Sequence, residues 1–182
     1  MSEIMTYTKI MFDPLHPDAE RIDMEDIAHA LSMLCRANGH FKTFYSVAQH
    51  CIHCAKEAAA RGCSERIQLA CLLHDASEAY LSDVTRPVKE ELPRYKEIEA
   101  PLQETIWNKW LGSALTEEER KQVFAIDDAL LAHEFLALMD AKIVEEIPEL
   151  HSVPEFAFTG FAHCKQAFLA LFRQLTDRKS VV

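Results

Sequence analysis

The chain has 182 residues, of which 49% are hydrophobic and 26% are charged, a balance typical of one globular domain with a sizeable core. Its formal net charge of −10 disfavours binding to nucleic acid polymers or anionic membranes, although a small phosphorylated ligand can still be held by local cations and a metal. No uncharged apolar stretch approaches the ~18 residues of a membrane span, and no secretory signal is visible, so we expect a cytoplasmic single domain spanning residues 1–182.

The first two predicted helices follow from apolar spacing and from signals at their ends. The first runs from about Asp23 to Gly39, and its inward residues at helical spacing are Ile27, Leu31 and Leu34. The second opens at Ser46, where Gln49 three residues later completes a capping-box pattern, and it ends at Gly62. All four glycines of the chain fall between periodic segments, where glycine commonly ends a helix.

A third predicted helix begins at Ser64 and continues without a break to about Ser82. It places His74 and Glu78 on one inward face, with Asp75 adjacent, because residues four apart lie one above the other on a helix. Two strong metal ligands therefore occupy positions where a buried helix would carry leucine. Burying them without a partner or a cation would cost several kcal/mol or more.

Three more elements complete the helical pattern. A helix over 95–111 is expected to be kinked or broken by Pro101. A capping box from Thr116 to Glu119 opens a long helix that places Asp127 on an inward stripe. The last helix spans about 161–177, and its predicted buried residues are Phe161, Cys164, Phe168 and Phe172. No segment shows convincing strand alternation, so the predicted fold class is all-α.

Three of these predicted helices carry inward-facing residues of the kinds that bind metals. The four residues are His50, His74, Asp75 and Asp127. Each one alone is more often a satisfied core residue, but four together favour a metal site. Two imidazoles and two carboxylates leave coordination positions open for water, which indicates a hydrolytic ion such as Mn, Co, Ni, Zn, Fe or Mg. Asp128 is the competing assignment for the last ligand.

The six cysteines are expected to be free thiols, because the chain is not a small secreted scaffold. Cys51 and Cys54 have the Cys-x-x-Cys spacing of zinc ligands, but no second pair follows at zinc-finger spacing. A cysteine nucleophile is also disfavoured. Residues one and three apart on a helix rarely present a nucleophile and its base, here His50 or His53, to the same substrate atom.

Three segments, taken in order, resemble a known family: 46–50 (SVAQH), 74–89 (HDASEAYLSDVTRPVK) and 126–131 (IDDALL). They resemble the HD-domain metal-dependent phosphohydrolases, and within them the small nucleotide hydrolases that include bacterial 5′-deoxynucleotidase and phage-type dATP triphosphohydrolase. The resemblance covers about residues 23–140. It implies an HD-domain helical bundle that binds one divalent ion through His50, His74, Asp75 and Asp127.

The resemblance also implies roles around this ion. Glu78 is expected to position or deprotonate the attacking water, and Asp83 to protonate the leaving oxygen or bind the sugar. Arg36 occupies the place of a phosphate-gripping arginine, and its planar guanidinium suits bidentate contact. Arg86 and Lys89 are secondary phosphate-binding candidates. Because the next histidine is His133, a single-ion centre is expected, with His133 and Glu134 as candidate supporting partners.

The implied activity is hydrolysis of a (deoxy)nucleoside 5′-monophosphate to nucleoside and phosphate by a metal-activated water. A triphosphohydrolase with the same site is the alternative, favoured if Arg86 and Lys89 both line a phosphate channel. A catalytically degenerate nucleotide-binding or sensor module is the third interpretation. The aromatic residues Phe41, Phe44 and Tyr45 either stack on a base or belong to the core. A homodimer is expected on resemblance alone.

Overall fold

Helices make up nearly all the regular structure in residues 3–177, the part of the chain that this computed structural model describes. They are α1 (Met24–Met33), α2 (Val47–Ala60), α3 (Glu65–Leu72), α4 (Glu78–Leu81), α5 (Arg86–Glu90), α6 (Pro93–Leu111), α7 (Glu117–Met139) and α8 (Phe161–Asp177). The all-α prediction is confirmed. The expected domain of residues 1–182 extends beyond the described residues at both ends.

One short ribbon corrects the expectation that no strand would form. The strands β1 (Ile4–Met5) and β2 (Met11–Phe12) pair antiparallel, and they form the only sheet within residues 3–177. In the same range, no helix combines the length and the apolar character that crossing a membrane requires.

The central helix of the bundle is α2, because α1, α3, α7 and α8 all pack against it. Most of its residues are buried, including Ala48, Ala55 and Ala58, whose small side chains let the neighbouring helices approach closely. A helix buried around most of its circumference belongs to the interior of a bundle. His50, in the second turn of α2, is therefore held inside the protein.

Local hydrogen bonds set the start of α2 and of α7, as the sequence predicted. Ser46 Oγ accepts a hydrogen bond from the backbone N–H of Gln49 at 3.1 Å. The Gln49 side chain does not close the box but donates to two carbonyls of the 155–157 segment. In α7 both halves of the capping box form between Thr116 and Glu119. A capped start fixes which face each helix turns inward.

The predicted third helix is broken, and this correction matters most for the site. His74 and Asp75 lie in the turn between α3 and α4. Gln103 of α6 holds this turn, because its Oε1 accepts from the Ser77 backbone N–H at 3.1 Å and its Nε2 donates to the Leu73 carbonyl at 2.8 Å. The break lets two residues adjacent in sequence face the same point.

The first helix ends earlier than predicted, at Met33 instead of Gly39. The chain then becomes extended, and the Arg36 backbone N–H donates to the Tyr45 carbonyl at 2.9 Å. Arg36 therefore begins a separate 3₁₀ turn, Arg36–Gly39, beside the start of α2. The chain after Met33 thus forms hydrogen bonds with the segment before α2 instead of continuing the helix α1.

The last helix has the predicted bounds but a narrower buried face. Cys164 and Phe168 are buried, and Phe172 is partly buried. Phe161 is 51% exposed, so its predicted burial is wrong. It begins the helix one turn before Cys164, the first buried residue. The helix α6 continues through Pro101, so the alternative of a broken helix at this residue is wrong.

Candidate metal centre

Four ligand-type side chains converge at one point: His50 from α2, His74 and Asp75 from the α3–α4 turn, and Asp127 from α7. His50 Nε2 lies 3.2 Å from His74 Nε2 and 3.0 Å from Asp127 Oδ1. His74 Nε2 lies 3.3 Å from Asp75 Oδ2 and 3.7 Å from Asp127 Oδ1. The distance from Asp75 Oδ2 to His50 Nε2 is 3.9 Å. The structure thus brings together all four residues that the sequence singled out as ligands.

These separations are close to those around one divalent cation. Bonds of about 2.0 to 2.2 Å to nitrogen and oxygen place neighbouring ligand atoms about 3.0 to 3.5 Å apart. Three of the five separations lie in this range, and the other two, at 3.7 and 3.9 Å, are slightly longer. His50 Nδ1 donates to Glu134 Oε1 at 2.5 Å, and His74 Nδ1 donates to the Cys71 carbonyl at 2.7 Å. With both Nδ1 atoms donating to oxygens, both Nε2 atoms face the centre, where a deprotonated Nε2 would bind a cation. Three of the four residues, His50, His74 and Asp127, belong with Cys54 to a group that could hold a metal ion, and His74 and Asp75 belong with Cys51 to a second one. Mixed nitrogen and oxygen ligands suit several ions.

The electrostatics of the centre favour positive charge. Burial lowers the pKa of His74, but the Asp75 carboxylate and other contacts raise it well above its usual value. Burial and a nearby guanidinium lower the pKa of His50, yet Glu134 and Asp127 more than compensate and the net shift is upward. Burial raises the pKa of Asp127, but hydrogen bonds from His50 and His74 hold it well below its usual range. These shifts have one cause in common, the carboxylates that surround the two imidazoles, and the same carboxylates would attract a divalent cation.

Arg36 and Glu134 form a buried support for the centre. Glu134 is 0% exposed and accepts from both His50 Nδ1 and Arg36 Nε, the latter at 3.2 Å. A terminal nitrogen of Arg36 donates to Asp75 Oδ2 at 3.3 Å. Burial lowers the pKa of Arg36, but Glu134 and Asp75 raise it well above its usual value, so the guanidinium stays charged. Two carboxylates therefore fix a cation beside the candidate metal ligands.

A cavity of about 510 Å³ opens beside the centre. Its charged lining consists of three cations, Arg36, Arg86 and Lys89, and four carboxyl groups, Asp75, Glu78, Asp83 and Asp127. Its apolar lining includes Phe41, Leu131, Phe135, Met139 and Ile143. Three of these apolar residues follow Asp127 at four-residue steps along α7. With a rise of about 1.5 Å per residue, the apolar wall extends roughly 18 Å along the helix from Asp127.

Two acids of the cavity have the raised pKa values that proton transfer requires. Glu78 is 4% exposed, and its Oε2 has no hydrogen-bond partner among the described residues. Burial, then Asp75 and Asp83, raise the pKa of Glu78 well above its usual value. Lys89 Nζ, at 3.7 Å from Glu78 Oε1, opposes this shift in part. Burial raises the pKa of Asp83 as well. Raised pKa values are common among carboxyl groups that act as general acids or bases.

The two secondary cation candidates line the cavity but already have carboxylate partners. Arg86 donates to Asp128 Oδ1 at 2.9 Å and to Asp127 Oδ2 at 3.4 Å. Lys89 donates to Glu99 Oε1 at 2.6 Å. The Asp128 side chain is 56% exposed and pairs with Arg86. Of the two adjacent aspartates, Asp127 is therefore the one at the centre.

With this geometry in view, comparison with known proteins adds sequence relatives without an assigned activity. The chain matches no protein-family model. It is similar to the uncharacterized protein YfdR of Escherichia coli, 37% identical over 112 residues that cover 60% of this chain and 59% of that protein. An uncharacterized protein of Rhodobacter capsulatus is 45% identical over 82 residues, 42% of this chain and 41% of its own length. The chain thus spans less than two thirds of the length of both relatives.

The three aromatic candidates for base stacking have different environments. Phe41 lines the cavity and packs edge-on against Phe135. Tyr45 is fully buried and its hydroxyl hydrogen-bonds His53 Nδ1 at 2.9 Å. Phe44 packs against Phe158. Of these three residues, only Phe41 lines the cavity. It is therefore the only one of them that remains a candidate for stacking on a base.

Of the two candidate supporting residues, Glu134 contacts the centre and His133 does not. His133 Nε2 hydrogen-bonds the Pro148 carbonyl at 2.8 Å.

The sequence did not predict the role of Gln103, because nothing near it in the sequence indicates its hydrogen bonds to the α3–α4 turn. The cavity-lining positions of Phe135 and Met139 were also not predicted, although their spacing from Asp127 in steps of four residues places them on the same helix face. All six cysteines are free thiols, as expected.

Proposed function

We propose that this protein is an HD-type metal-dependent phosphohydrolase that converts (deoxy)nucleoside 5′-monophosphates to nucleoside and phosphate. The observation that carries the proposal is the convergence of two histidines and two aspartates beside a cavity that also contains Arg36 and two acids of raised pKa. The order of these residues in the sequence, and the motifs around them, support the same assignment.

The residues around the centre have complementary chemical roles. A divalent cation, when bound, lowers the pKa of a water molecule and withdraws charge from a phosphoryl oxygen. Arg36, held by Glu134 and Asp75, neutralises further phosphoryl oxygens without reorganising. Glu78 accepts the proton of the attacking water through its unpartnered Oε2. Asp83 protonates the leaving oxygen or binds the sugar.

The charge of the cavity favours a monophosphate. In the protonation states that the proposal requires, Glu78 is ionised and Asp83 is protonated, so three cations, three carboxylates and a divalent ion give the lining a net charge of two positive units. A phosphate monoester carries about −1.5 to −2 near neutral pH, whereas a triphosphate carries considerably more. Arg86 and Lys89 both line the cavity, which keeps a triphosphohydrolase as the second candidate. Their existing pairs with Asp128 and Glu99 leave less charge for a polyphosphate.

The apolar lining favours a nucleoside over a small alcohol as the leaving group. Phe41, Phe135 and Met139 offer an apolar surface next to the charged end. Ligand sites commonly combine such a surface with a few polar anchors. A sensor without turnover requires the metal and the apolar wall, but it has no need of Glu78 and Asp83 beside them.

A nucleotide panel tests the proposal. Nucleoside mono-, di- and triphosphates and one small non-nucleotide phosphomonoester are assayed with Mn²⁺, Co²⁺ or Mg²⁺, and the products are resolved as phosphate or triphosphate. We expect phosphate from the monophosphates. Release of triphosphate would support the second candidate, and absence of turnover across the panel would favour a sensor.

Two variants separate binding from chemistry. Asp75→Ala is expected to lose both metal binding and turnover while keeping its helix content. Glu78→Gln is expected to keep metal binding and lose at least about a hundredfold in kcat, the range for a missing acid or base. Asp128→Asn, which alters an exposed carboxylate near the same cavity, is the matched control and should retain activity. Unchanged turnover in Glu78→Gln would contradict its role.

A further inference from the structure

A sulfur atom lies in contact with the candidate metal centre. Cys54 follows His50 by one turn of α2 and is 1% exposed, and its Sγ lies 3.4 Å from His50 Nε2. This sulfur and one ligand atom from each of His50, His74 and Asp127 all lie within 4.8 Å of one another. The hydrolytic roles proposed above make no use of this thiol.

The spacing of these atoms is that of a tetrahedral site with one sulfur. Bonds of about 2.3 Å to sulfur and about 2.0 Å to nitrogen, arranged tetrahedrally, put the sulfur about 3.5 Å from each nitrogen and the two nitrogens about 3.3 Å apart. The measured distances are 3.4 Å from Cys54 Sγ to His50 Nε2 and 3.2 Å between the two Nε2 atoms. The aspartate oxygen lies 3.0 Å from His50 Nε2.

The neighbouring cysteine on α2, Cys51, is grouped with His74 and Asp75, whose ligand atoms lie within 4.8 Å of its sulfur and of one another, and not with His50 and Asp127. Cys51 Sγ lies 4.0 Å from His74 Nδ1, and that nitrogen already donates to the Cys71 carbonyl. Cys51 therefore faces the back of the imidazole, whereas Cys54 contacts a nitrogen that faces the centre. The two thiols are one turn apart and both are buried, so Cys51 serves as a matched control for Cys54.

We propose that this centre offers two ligand sets that share His50, His74 and Asp127. Oxygen-preferring ions such as Mg²⁺ and Mn²⁺ take Asp75 as the fourth protein ligand. Thiophilic ions such as Zn²⁺, Cd²⁺ and Co²⁺ take Cys54 as a thiolate. Ligand softness separates the two groups of ions, because thiolate binds soft cations and carboxylate binds hard ones. The inference concerns metal binding alone and does not depend on the hydrolase activity.

The thiolate set has a consequence for the cavity. It leaves Asp75 uncoordinated, with its carboxylate still bound to Arg36. Coordination also releases the thiol proton of Cys54, so thiophilic ions bind with release of a proton that oxygen-preferring ions do not displace. The choice of ion therefore determines which side chains remain to contact a phosphorylated ligand.

Cobalt absorption tests the proposal directly. Purified full-length protein is titrated with Co²⁺, and the near-ultraviolet charge-transfer band of a thiolate–cobalt bond is recorded. We expect the band in the wild type and in Cys51→Ser, and its loss in Cys54→Ser, with circular dichroism showing that each variant is folded. A band that persists in Cys54→Ser, or one that disappears in Cys51→Ser, would overturn the assignment.

Affinity and X-ray absorption complete the test. Cys54→Ser should weaken Cd²⁺ binding by at least about tenfold and leave Mn²⁺ binding within about twofold of the wild type. An equal loss for both ions would contradict the two-set proposal. If Cys54→Ser does not fold, X-ray absorption of the Cd²⁺-loaded wild type and of Cys51→Ser decides the matter. One sulfur neighbour in both samples supports Cys54, and none in the wild type refutes it.

Discussion

Replacement of Glu134 by glutamine is the sharpest test of how the centre is supported. The carboxylate of Glu134 accepts from two donors at once, His50 Nδ1 through Oε1 and Arg36 Nε through Oε2. A glutamine amide has the same shape but a single acceptor oxygen. In Glu134→Gln one of the two donors must therefore face an NH₂ group, inside a site where the side chain is 0% exposed.

The structure sets the size of the expected effect. A buried donor left without an acceptor costs about 1 to 3 kcal/mol. Loss of a carboxylate that orients a metal-ligating imidazole typically weakens metal binding tenfold to a hundredfold, which corresponds to about 1.4 to 2.7 kcal/mol. We expect Glu134→Gln to bind Mn²⁺ about tenfold to a hundredfold more weakly than the wild type. The free energy of unfolding without metal should fall by about 1 to 3 kcal/mol.

Calorimetric titration with Mn²⁺ and urea unfolding measure the two quantities. Asp128→Asn is the control, because it lies on the same helix and its exposed carboxylate pairs with Arg86. An exposed pair contributes about 0 to 1 kcal/mol, so the control should stay close to the wild type in both assays. Wild-type affinity in Glu134→Gln would refute the argument that this carboxylate orients His50.

Three further predictions follow from other parts of the molecule. Burial raises the pKa of Glu57, but hydrogen bonds from Ser152 and other donors lower it from 4.5 to about 2. Its stabilising contribution is therefore present above the unfolded pKa and is lost as pH falls toward 2. The full shift corresponds to about 3 kcal/mol. Because a glutamine at this position keeps one acceptor oxygen, we expect a loss of about 1 to 2 kcal/mol. Urea unfolding of Glu57→Gln at pH 7 should show this loss, and the difference from the wild type should disappear near pH 2. Phe135→Ala should raise KM for nucleoside monophosphates about fivefold or more and leave kinetics on a small phosphomonoester unchanged, since only the nucleoside contacts the apolar wall. Gly112 ends α6 at φ +81°, so Gly112→Ala should cost about 1 kcal/mol and lower the melting temperature by about 2 to 4 °C.

Features with local causes could be predicted from the sequence. The helices that start at Ser46 and Thr116 were predicted because their capping hydrogen bonds lie within three residues of each other. The position of Asp127 was predicted for a similar reason, since the helical period alone turns it inward with Leu130. The face of each helix follows from local spacing, so the four candidate ligands could be proposed together.

Features caused by distant residues could not be predicted. The break between α3 and α4 depends on Gln103, which lies 26 and 30 residues from the two backbone groups it binds. The early end of α1 depends on pairing between the Arg36 and Tyr45 segments. In both places the apolar period continues through the interruption, so periodicity favours a continuous helix. The sequence suggested two roles for Cys54, a zinc ligand beside Cys51 and a nucleophile. Its proximity to His74 could not be predicted, because tertiary packing sets the distance between these two residues.

The helix α7 contributes residues to both ends of the cavity, and each end is lined by a different part of the helix. Asp127 lies at the centre, whereas Leu131, Phe135 and Met139 extend the wall away from it. Protein engineers can therefore randomise these three apolar positions to change which leaving group is accepted. Under the proposed function, these positions would govern selectivity and Asp127 would serve reactivity. Directed evolution could then change the first without replacing a candidate metal ligand.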